Sequence, residues 1–285
     1  MRPPLKGIQM YSQQMGCDLE NHYQERLPVS WKSVLSEDDY RFYKENISLL
    51  EERVVGNFAD SYRAPGILSA IRRVPRHLFV GRDYRSLAYT DNALPTTAGL
   101  TTSAPSVIAT MILHAGVSSG RKVLEIGTGP GYQAAILAEM GAKVWSIEID
   151  RSASQKAGRA LVELGYKIDK QAATRDRESM KRYQAISRMF PERGQVELFW
   201  GNGQNGLANK SPFHAIIVAV SVPYLRLVSR LPAQLSESGG RMVVPVGDRH
   251  RQTLYIVKRN RNRIESSVLE GVSFDFLSMI PKQER

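Results

Sequence analysis

Gly127-Thr128-Gly129-Pro130-Gly131 is where this chain offers its backbone to a ligand. Three glycines in five residues allow a tight turn and bring main-chain N–H groups close to a bound molecule. The apolar run Val123–Ile126 ahead of them has the pattern of a strand, and "YQAAILAEM" behind them that of a helix. Strand, glycine turn and helix in that order make the first crossover of a doubly wound sheet, where a nucleotide-like ligand rests on the turn. Two carboxylates accompany it. Glu125 stands inside the first strand, and Glu148 closes the next one, "KVWSIEI". A carboxylate at that second position can accept hydrogen bonds from both hydroxyls of a ribose.

The spacing of the glycines selects among ligands. The dinucleotide fingerprint is G-x-G-x-x-G, with a pyrophosphate at the helix N-terminus. Here the third glycine comes one place early, and Glu125 precedes the turn. This E-x-G-x-G-x-G form is the pattern of S-adenosylmethionine (SAM) methyltransferases, whose loop wraps the amino-acid portion of a cofactor that has no phosphate. SAM is therefore the expected cofactor. Its expected cradle is Glu125, Gly127, Thr128, Gly129, Gly131, Tyr132, Glu148 and Ile149.

Elements that can position such a loop are legible on both sides of it. Residues 1–64 read as a helical N-terminal extension, in which Ser36 caps "EDDYRFYKENISLLEERVV". Residues 65–285 read as the SAM-binding domain. In it, "APGILSAIRR" is a short helix stopped by Pro75. "SAPSVIATMILHAG" is a helix with Ser103 as N-cap, Pro105 in the first turn and Gly116 beyond its end. From Lys122 onward strands and helices alternate. The strands are "KVLEI", "KVWSIEI", "QVELFW", "AIIVAV", "RMVVPV" and two around the polar turn "KRNRNR". The predicted fold is α/β: a doubly wound, mainly parallel seven-stranded sheet of the Rossmann-like methyltransferase type, with a C-terminal antiparallel hairpin. Residues 166–194 interrupt the rhythm as a charged insertion, and "ESMKRYQAISRMF" within it has amphipathic helical spacing.

Composition narrows the function classes. The 285 residues carry 39 basic and 28 acidic side chains, a net charge of +11. Such a balance suits acidic partners and also simple solubility. Neither zinc-finger spacing nor an aromatic RNA-binding signature accompanies it, so nucleic acid is a possible partner but not the favoured one. The single cysteine, Cys17, excludes an intrachain disulfide and a thiolate metal cluster, and no metal is expected. No apolar run reaches the roughly 18 residues of a membrane span. "MRPPLKGIQMYSQQMGC" lacks a signal-peptide core, so a cytoplasmic location is expected.

Several separated stretches occur together in one order: "VPRHLFV", "AYTDNALP", "GLTTSAPSVIATM", "VLEIGTGPGYQAAILAEMGAKVWSIE", "GNGQNGL", "PFHAIIVAVSVP", "GGRMVVPVGD", "QTLYIVKR" and "VSFDFL". In that set the chain resembles the protein-L-isoaspartate (D-aspartate) O-methyltransferase family, over roughly residues 65–165 and 195–278. The resemblance implies methyl transfer from SAM to the α-carboxylate of L-isoaspartyl residues in damaged proteins. The ester then collapses to a succinimide, which can reopen as aspartate. It aligns Ser103 with the family's serine near the methyl group and the target carboxylate. It assigns Thr101, Thr102, Asn202, Gly203 and Gln252 to the cofactor, and Asp91, Leu100 and Ala104 to the acceptor side. Departures fall mostly on that acceptor side. The family's G-Q-T-I-S-Q-P reads Gly99-Leu100-Thr101-Thr102-Ser103-Ala104-Pro105, and its G-D-G reads Gly201-Asn202-Gly203. Asn202 is expected to meet an adenine amino group through its side-chain oxygen. These changes leave room for another acceptor, such as a dedicated biosynthetic peptide or RNA. A carboxylate acceptor needs little from the protein, because it is already ionised at neutral pH. Alignment and desolvation then suffice.

Overall fold

A computed structural model of the chain describes residues 31–58, 64–96, 100–168, 193–248 and 251–269. Helices α1 (Trp31–Val34), α2 (Glu37–Asn57) and α3 (Pro65–Arg73) come first, then strands β1 (Leu94–Pro95) and β2 (Thr101–Thr102) and helix α4 (Pro105–Ala115). The alternating part follows: β3 (Lys122–Ile126), α5 (Tyr132–Glu139), β4 (Lys143–Glu148), α6 (Arg151–Glu163), β5 (Lys167–Ile168), β6 (Gln195–Trp200) and β7 (Ala215–Val218). β8 (Ser238–Gly247), β9 (Gln252–Asn260) and β10 (Arg263–Leu269) close the order. The main sheet runs β10-β9-β8-β7-β3-β4-β6-β5, and β1 pairs with β2 as a separate hairpin. β3, β4, β5, β6, β7 and β8 are mutually parallel, while β9 and β10 are antiparallel. The predicted architecture and C-terminal hairpin are present. The main sheet has eight strands among the described residues rather than seven, because the two-residue β5 opens the 166–194 segment as an edge strand. The amphipathic run predicted inside that segment lies outside the described residues.

Side-chain alternation along the central strands explains the layers. Val123 of β3 and Val144 of β4 join one apolar cluster, and Leu124, Ile126, Trp145 and Ile147 join the other on the opposite face. Helices α1, α2, α3, α4 and α5 cover the first face. The N-terminal helices are part of that core: Trp31, Tyr43, Ile47, Leu50 and Val54 are buried in the same cluster as Ile108 and Tyr132. α2 forms where its acids and apolar spacing predict. Ser36 accepts a hydrogen bond from Asp39 N–H, and Glu37, Asp38 and Asp39 complement the helix dipole. Tyr43 Oη donates to Arg72 O at 2.6 Å and Trp31 Nε1 to Arg73 O at 2.8 Å, fastening α1 and α2 to the end of α3.

A buried charge cluster ties the last turn of α5 to its surroundings. Arg193 lies 2.6 Å from Glu139 Oε1, and Arg73 Nε 3.1 Å from Oε2, with the glutamate side chain only 4% exposed. Tyr166 Oη donates to the same carboxylate, and the Arg193 guanidinium stacks over Tyr166 and Trp31. Removing the acid from such a cluster leaves an uncompensated buried cation. Glu139→Ala should lower the unfolding free energy by about 3–5 kcal/mol in urea titrations, and a loss below about 1 kcal/mol would show that water relieves Arg193 instead.

Candidate active site

The carboxyl ends of β3, β4, β6, β7 and β8 lie along one edge of the sheet, and the glycine loop hangs from the end of β3. Its three glycines all have positive φ: 93° at Gly127, 54° at Gly129 and 94° at Gly131. Each is required for a different reason. A Cβ on Gly127 would come within 2.8 Å of Val220 Cγ1, so there the strand end passes the next loop too closely for a side chain. At Gly131 a Cβ would press on Ala157 of α6 at 3.3 Å, a contact that sets the packing of loop on helix. At Gly129 nothing lies within 4 Å. The space over Gly129 is open.

Glu148 braces that turn from the end of β4. Its Oε2 accepts Gly129 N–H at 2.8 Å and its Oε1 accepts Asp150 N–H at 3.0 Å. A carboxylate has about four acceptor positions, so capacity for two ribose hydroxyls remains. Behind the loop lies a second acid. Glu125 is fully buried on β3 and faces Ser146, its register partner on β4. Ser146 Oγ donates to Glu125 Oε2, and Thr128 Oγ1 lies 2.6 Å from Ser146 Oγ. Burial pushes the Glu125 carboxyl up to about 8, against the hydrogen bonds from Ser146 and Gln133, which lower it. Glu125 therefore props the loop by way of Ser146 and Thr128.

The remaining cofactor-side residues divide. Ile149 is half-buried, and its carbonyl accepts Trp200 Nε1–H at 3.1 Å at the same sheet edge. Gly203 packs so closely on Ile126 that a Cβ would fall 2.5 Å from its Cγ2. Asn202 uses its side-chain oxygen to cap the short turn that follows, accepting Gln204 N–H at 2.9 Å. That oxygen, expected free for adenine, keeps one lone pair. Tyr132 turns its ring into the core beneath Arg76 and beside Phe79, leaving its main chain at the loop. Gln252 starts β9 beside Gly247, and its Nε2 donates to Asp248 O at 3.0 Å, so it braces the hairpin. No hydrogen bond joins it to the glycine loop among the described residues.

On the acceptor side, β1 and β2 form a hairpin in which Thr102 is buried opposite Leu94 and Thr101 is half-buried opposite Pro95. Leu100 closes it, its carbonyl accepting Thr96 N–H at 2.7 Å. Thr96 and Val80 share a small cavity with Gly129 and Pro130, which brings the hairpin against the cofactor loop. The expected N-cap role of Ser103 is not found. Ala104 is the N-cap of α4 and offers no side-chain bond. The helix start is capped from a distance by Asp91, whose Oδ1 accepts Ser106 N–H at 2.8 Å. The reason is geometric: Pro105 at the first helical position has no N–H, so the first donor to satisfy is that of Ser106. Asp91, expected on the acceptor side, thereby ties its loop to the start of α4. Ser103, half-buried and released from capping, keeps a hydroxyl without a hydrogen bond among the described residues. Ala104 stands half-buried beside it.

The sequence reading gives no role to the residue that joins these pieces. Arg76 is fully buried; it donates to Ala88 O, Thr90 O, Asn92 O and Ser103 O at 2.7–3.2 Å and lies 5.5 Å over the Tyr132 ring. An arginine inside the apolar run "VPRHLFV" is the available signal. Burial lowers its proton affinity, and Tyr132 and Asp91 oppose that.

The raised Glu125 carboxyl gives a pH signature. It holds in the native state a proton that the unfolded chain releases, so stability falls as pH rises from its ordinary 4.5 to about 8. Glu125→Gln should flatten that decline in urea titrations run from about pH 5 to about pH 8.5. A slope parallel to that of the unmodified protein would rule out a buried proton on Glu125.

Comparison with known proteins gives the family. The model of the Protein-L-isoaspartate(D-aspartate) O-methyltransferase family matches residues 52–279. The protein-L-isoaspartate O-methyltransferase of Methanoculleus marisnigri is 36% identical over 208 residues, 73% of this chain and 81% of that one. Protein-L-isoaspartate O-methyltransferase 1 of Syntrophobacter fumaroxidans is 34% identical over 233 residues, 82% and 94% of the two chains. In fold alone, the chain is similar to a Plasmodium falciparum protein assigned to the same activity and solved with S-adenosyl-L-homocysteine, at 18% identity, a TM-score of 0.58 and coverage of 84% and 99%. With the family match spanning most of its length, the chain belongs to the protein-L-isoaspartate (D-aspartate) O-methyltransferase family.

Proposed function

We propose that the chain methylates the α-carboxylate of L-isoaspartyl residues in proteins or peptides. The observation that carries this reading is the open face of Gly129 beside the Glu148 carboxylate, set against Thr96 of the β1–β2 hairpin that Ser103 follows in the chain. Those residues fit SAM. The glycine loop, its own N–H groups held by Ile147, Thr128 and Glu148, leaves the space over Gly129 open to a ligand without a phosphate, and Glu148 suits its ribose. Asn202 offers an amide to its adenine. Bound SAM supplies an electrophilic methyl: a carboxylate oxygen forms the O–C bond as the C–S bond breaks, and the electron pair stays on sulfur.

The protein's own contribution is placement. An ionised carboxylate needs no general base, so a buried acid–base pair is not required beside Ser103. The Ser103 hydroxyl, free of capping, can donate to the acceptor carboxylate and hold one oxygen while the other attacks. Leu100, Thr101 and Thr102 wall the approach, and neighbouring side chains exclude water that would stabilise the charged reactants. Here the family's two glutamines are Leu100 and Ala104, so fewer side-chain donors are available and more of the orientation falls to Ser103.

Incubation with methyl-labelled SAM and an isoaspartyl peptide should give base-labile label on that peptide and none on its aspartyl counterpart. Label on tRNA with none on the peptide would overturn the assignment. Ser103→Ala should reduce turnover about 10- to 100-fold, the scale of one lost orienting hydrogen bond, with SAM affinity unchanged. Loss of SAM affinity instead would move Ser103 to the cofactor side. Gly129→Val should abolish SAM binding in calorimetry while the protein stays folded, and unchanged affinity would refute the loop's role.

A further inference from the structure

Every carbonyl that the 88–92 loop offers to an arginine is taken, from two directions. Arg76 holds Ala88 O, Thr90 O and Asn92 O from inside the core. Arg53, in the last turns of α2, donates to Tyr89 O at 2.9 Å from outside. The Tyr89 hydroxyl is fixed in turn by His77 Nδ1 at 2.8 Å. Asp91, in the middle of this loop, caps α4 through Oδ1, and its other oxygen accepts Asn57 Nδ2–H at 2.7 Å. Asn57 is the last residue of α2. The contacts run in one line: end of α2, Asp91, first free N–H of α4, and the segment that carries Ser103.

We infer that Asn57 and Arg53 of the N-terminal helix are positioning residues for the acceptor side. Asn57 orients the Asp91 carboxylate so that it caps α4, and that cap fixes where Ser103 presents its hydroxyl. The inference rests on the proposed acceptor role of the Ser103 hairpin. The chemistry requires such a partner. A carboxylate close to an incoming carboxylate would repel it. With its two oxygens engaged by Asn57 and Ser106, Asp91 is aimed at the helix and its charge is spread over two donors. Asn57 and Arg53 are both solvent-exposed, so replacing either removes a hydrogen bond without opening a core cavity.

The test is a reciprocal exchange. Asn57→Ala and Arg53→Ala should each raise KM for an isoaspartyl peptide about three- to tenfold, the range for one hydrogen bond to a loop anchor, with SAM affinity unchanged. Asn57→Asp should be worse, because two carboxylates then face each other. The double variant Asn57→Asp with Asp91→Asn restores an amide–carboxylate pair in the opposite sense: the amide at position 91 still accepts the Ser106 N–H and now donates to the carboxylate at position 57. It should return KM to within about twofold of the unmodified protein, a coupling that independent residues do not show. A double variant no better than the poorer single one overturns the inference, as does an equal loss of SAM affinity. Hydrogen exchange of the Ser106 amide reads the same clasp without any methylation. It should quicken in Asn57→Asp and slow again in the exchange, so failure of the clasp is distinguishable from failure of the isoaspartyl assignment.

Discussion

Arg76 carries its positive charge in the core and makes its hydrogen bonds, among the described residues, to four backbone carbonyls and not to a carboxylate. Burying a guanidinium costs several kcal/mol unless its donors are satisfied. Here the carbonyls of residues 88, 90, 92 and 103 take up its two terminal nitrogens, and the Tyr132 ring face adds a cation–π contact. The obligation is mutual. Those carbonyls belong to irregular backbone with few strand partners, and a buried carbonyl also needs a donor. If the loop moves away, a charge and several acceptors are stranded together. That coupling ties the 88–92 loop and the Ser103 carbonyl to one guanidinium over Tyr132, the first residue after the three glycines.

The cofactor loop follows the same logic with the opposite charge. Glu125 lies behind the turn and Glu148 beside it, one pushed toward its neutral form by burial and the other braced by two backbone N–H groups. The Thr128–Ser146–Glu125 chain holds the turn from below, while Glu148 holds Gly129 from the side. Two acids close together would repel if both were ionised. Burial of the inner one favours its neutral form and relieves that repulsion. The E-x-G-x-G-x-G spacing thus specifies a division of labour, in which the first acid supports the loop and the acid after the second strand meets the solvent side.

Much of this is legible from residue order. Alternation of apolar residues locates the central strands, and Ser36 with three acids locates α2. The positive-φ turn can be read from its glycines because no other residue enters that region cheaply. What escapes are contacts made across the chain. Ser103 is a good capping residue by type, and it loses the role to Asp91 because Pro105 removes the N–H it would have met. Asp91 is fifteen residues from the amide it caps, and Asn57 lies farther still. Nothing local announces such pairs. β5 escapes because two residues carry no periodicity, and Asn202 changes meaning because its own turn competes for its oxygen. Arg76 is visible as a charge in an apolar run, yet its partners are carbonyls, which every residue has and no sequence pattern marks.

That last point bears on why the acceptor motif can differ so much while the scaffold stands. Arg76 recognises the backbone at residues 88, 90, 92 and 103, and Arg53 recognises it at residue 89. Hydrogen bonds to main-chain oxygens are blind to the side chain at the same position. Leucine at 100, threonine at 102 and alanine at 104 therefore change the side chains around Ser103 without removing the backbone contacts that hold the segment. The constraint falls on the few side chains that do the holding, and on Pro105, whose missing N–H passes the cap to Asp91. The cofactor side has no such freedom. Its contacts require glycine φ angles at Gly127, Gly129 and Gly131 and a carboxylate at Glu148, so identity and position are specified together. A frame built on backbone carbonyls tolerates side-chain change at residues 100, 102 and 104, while a loop built on left-handed backbone torsions resists it at residues 127, 129 and 131.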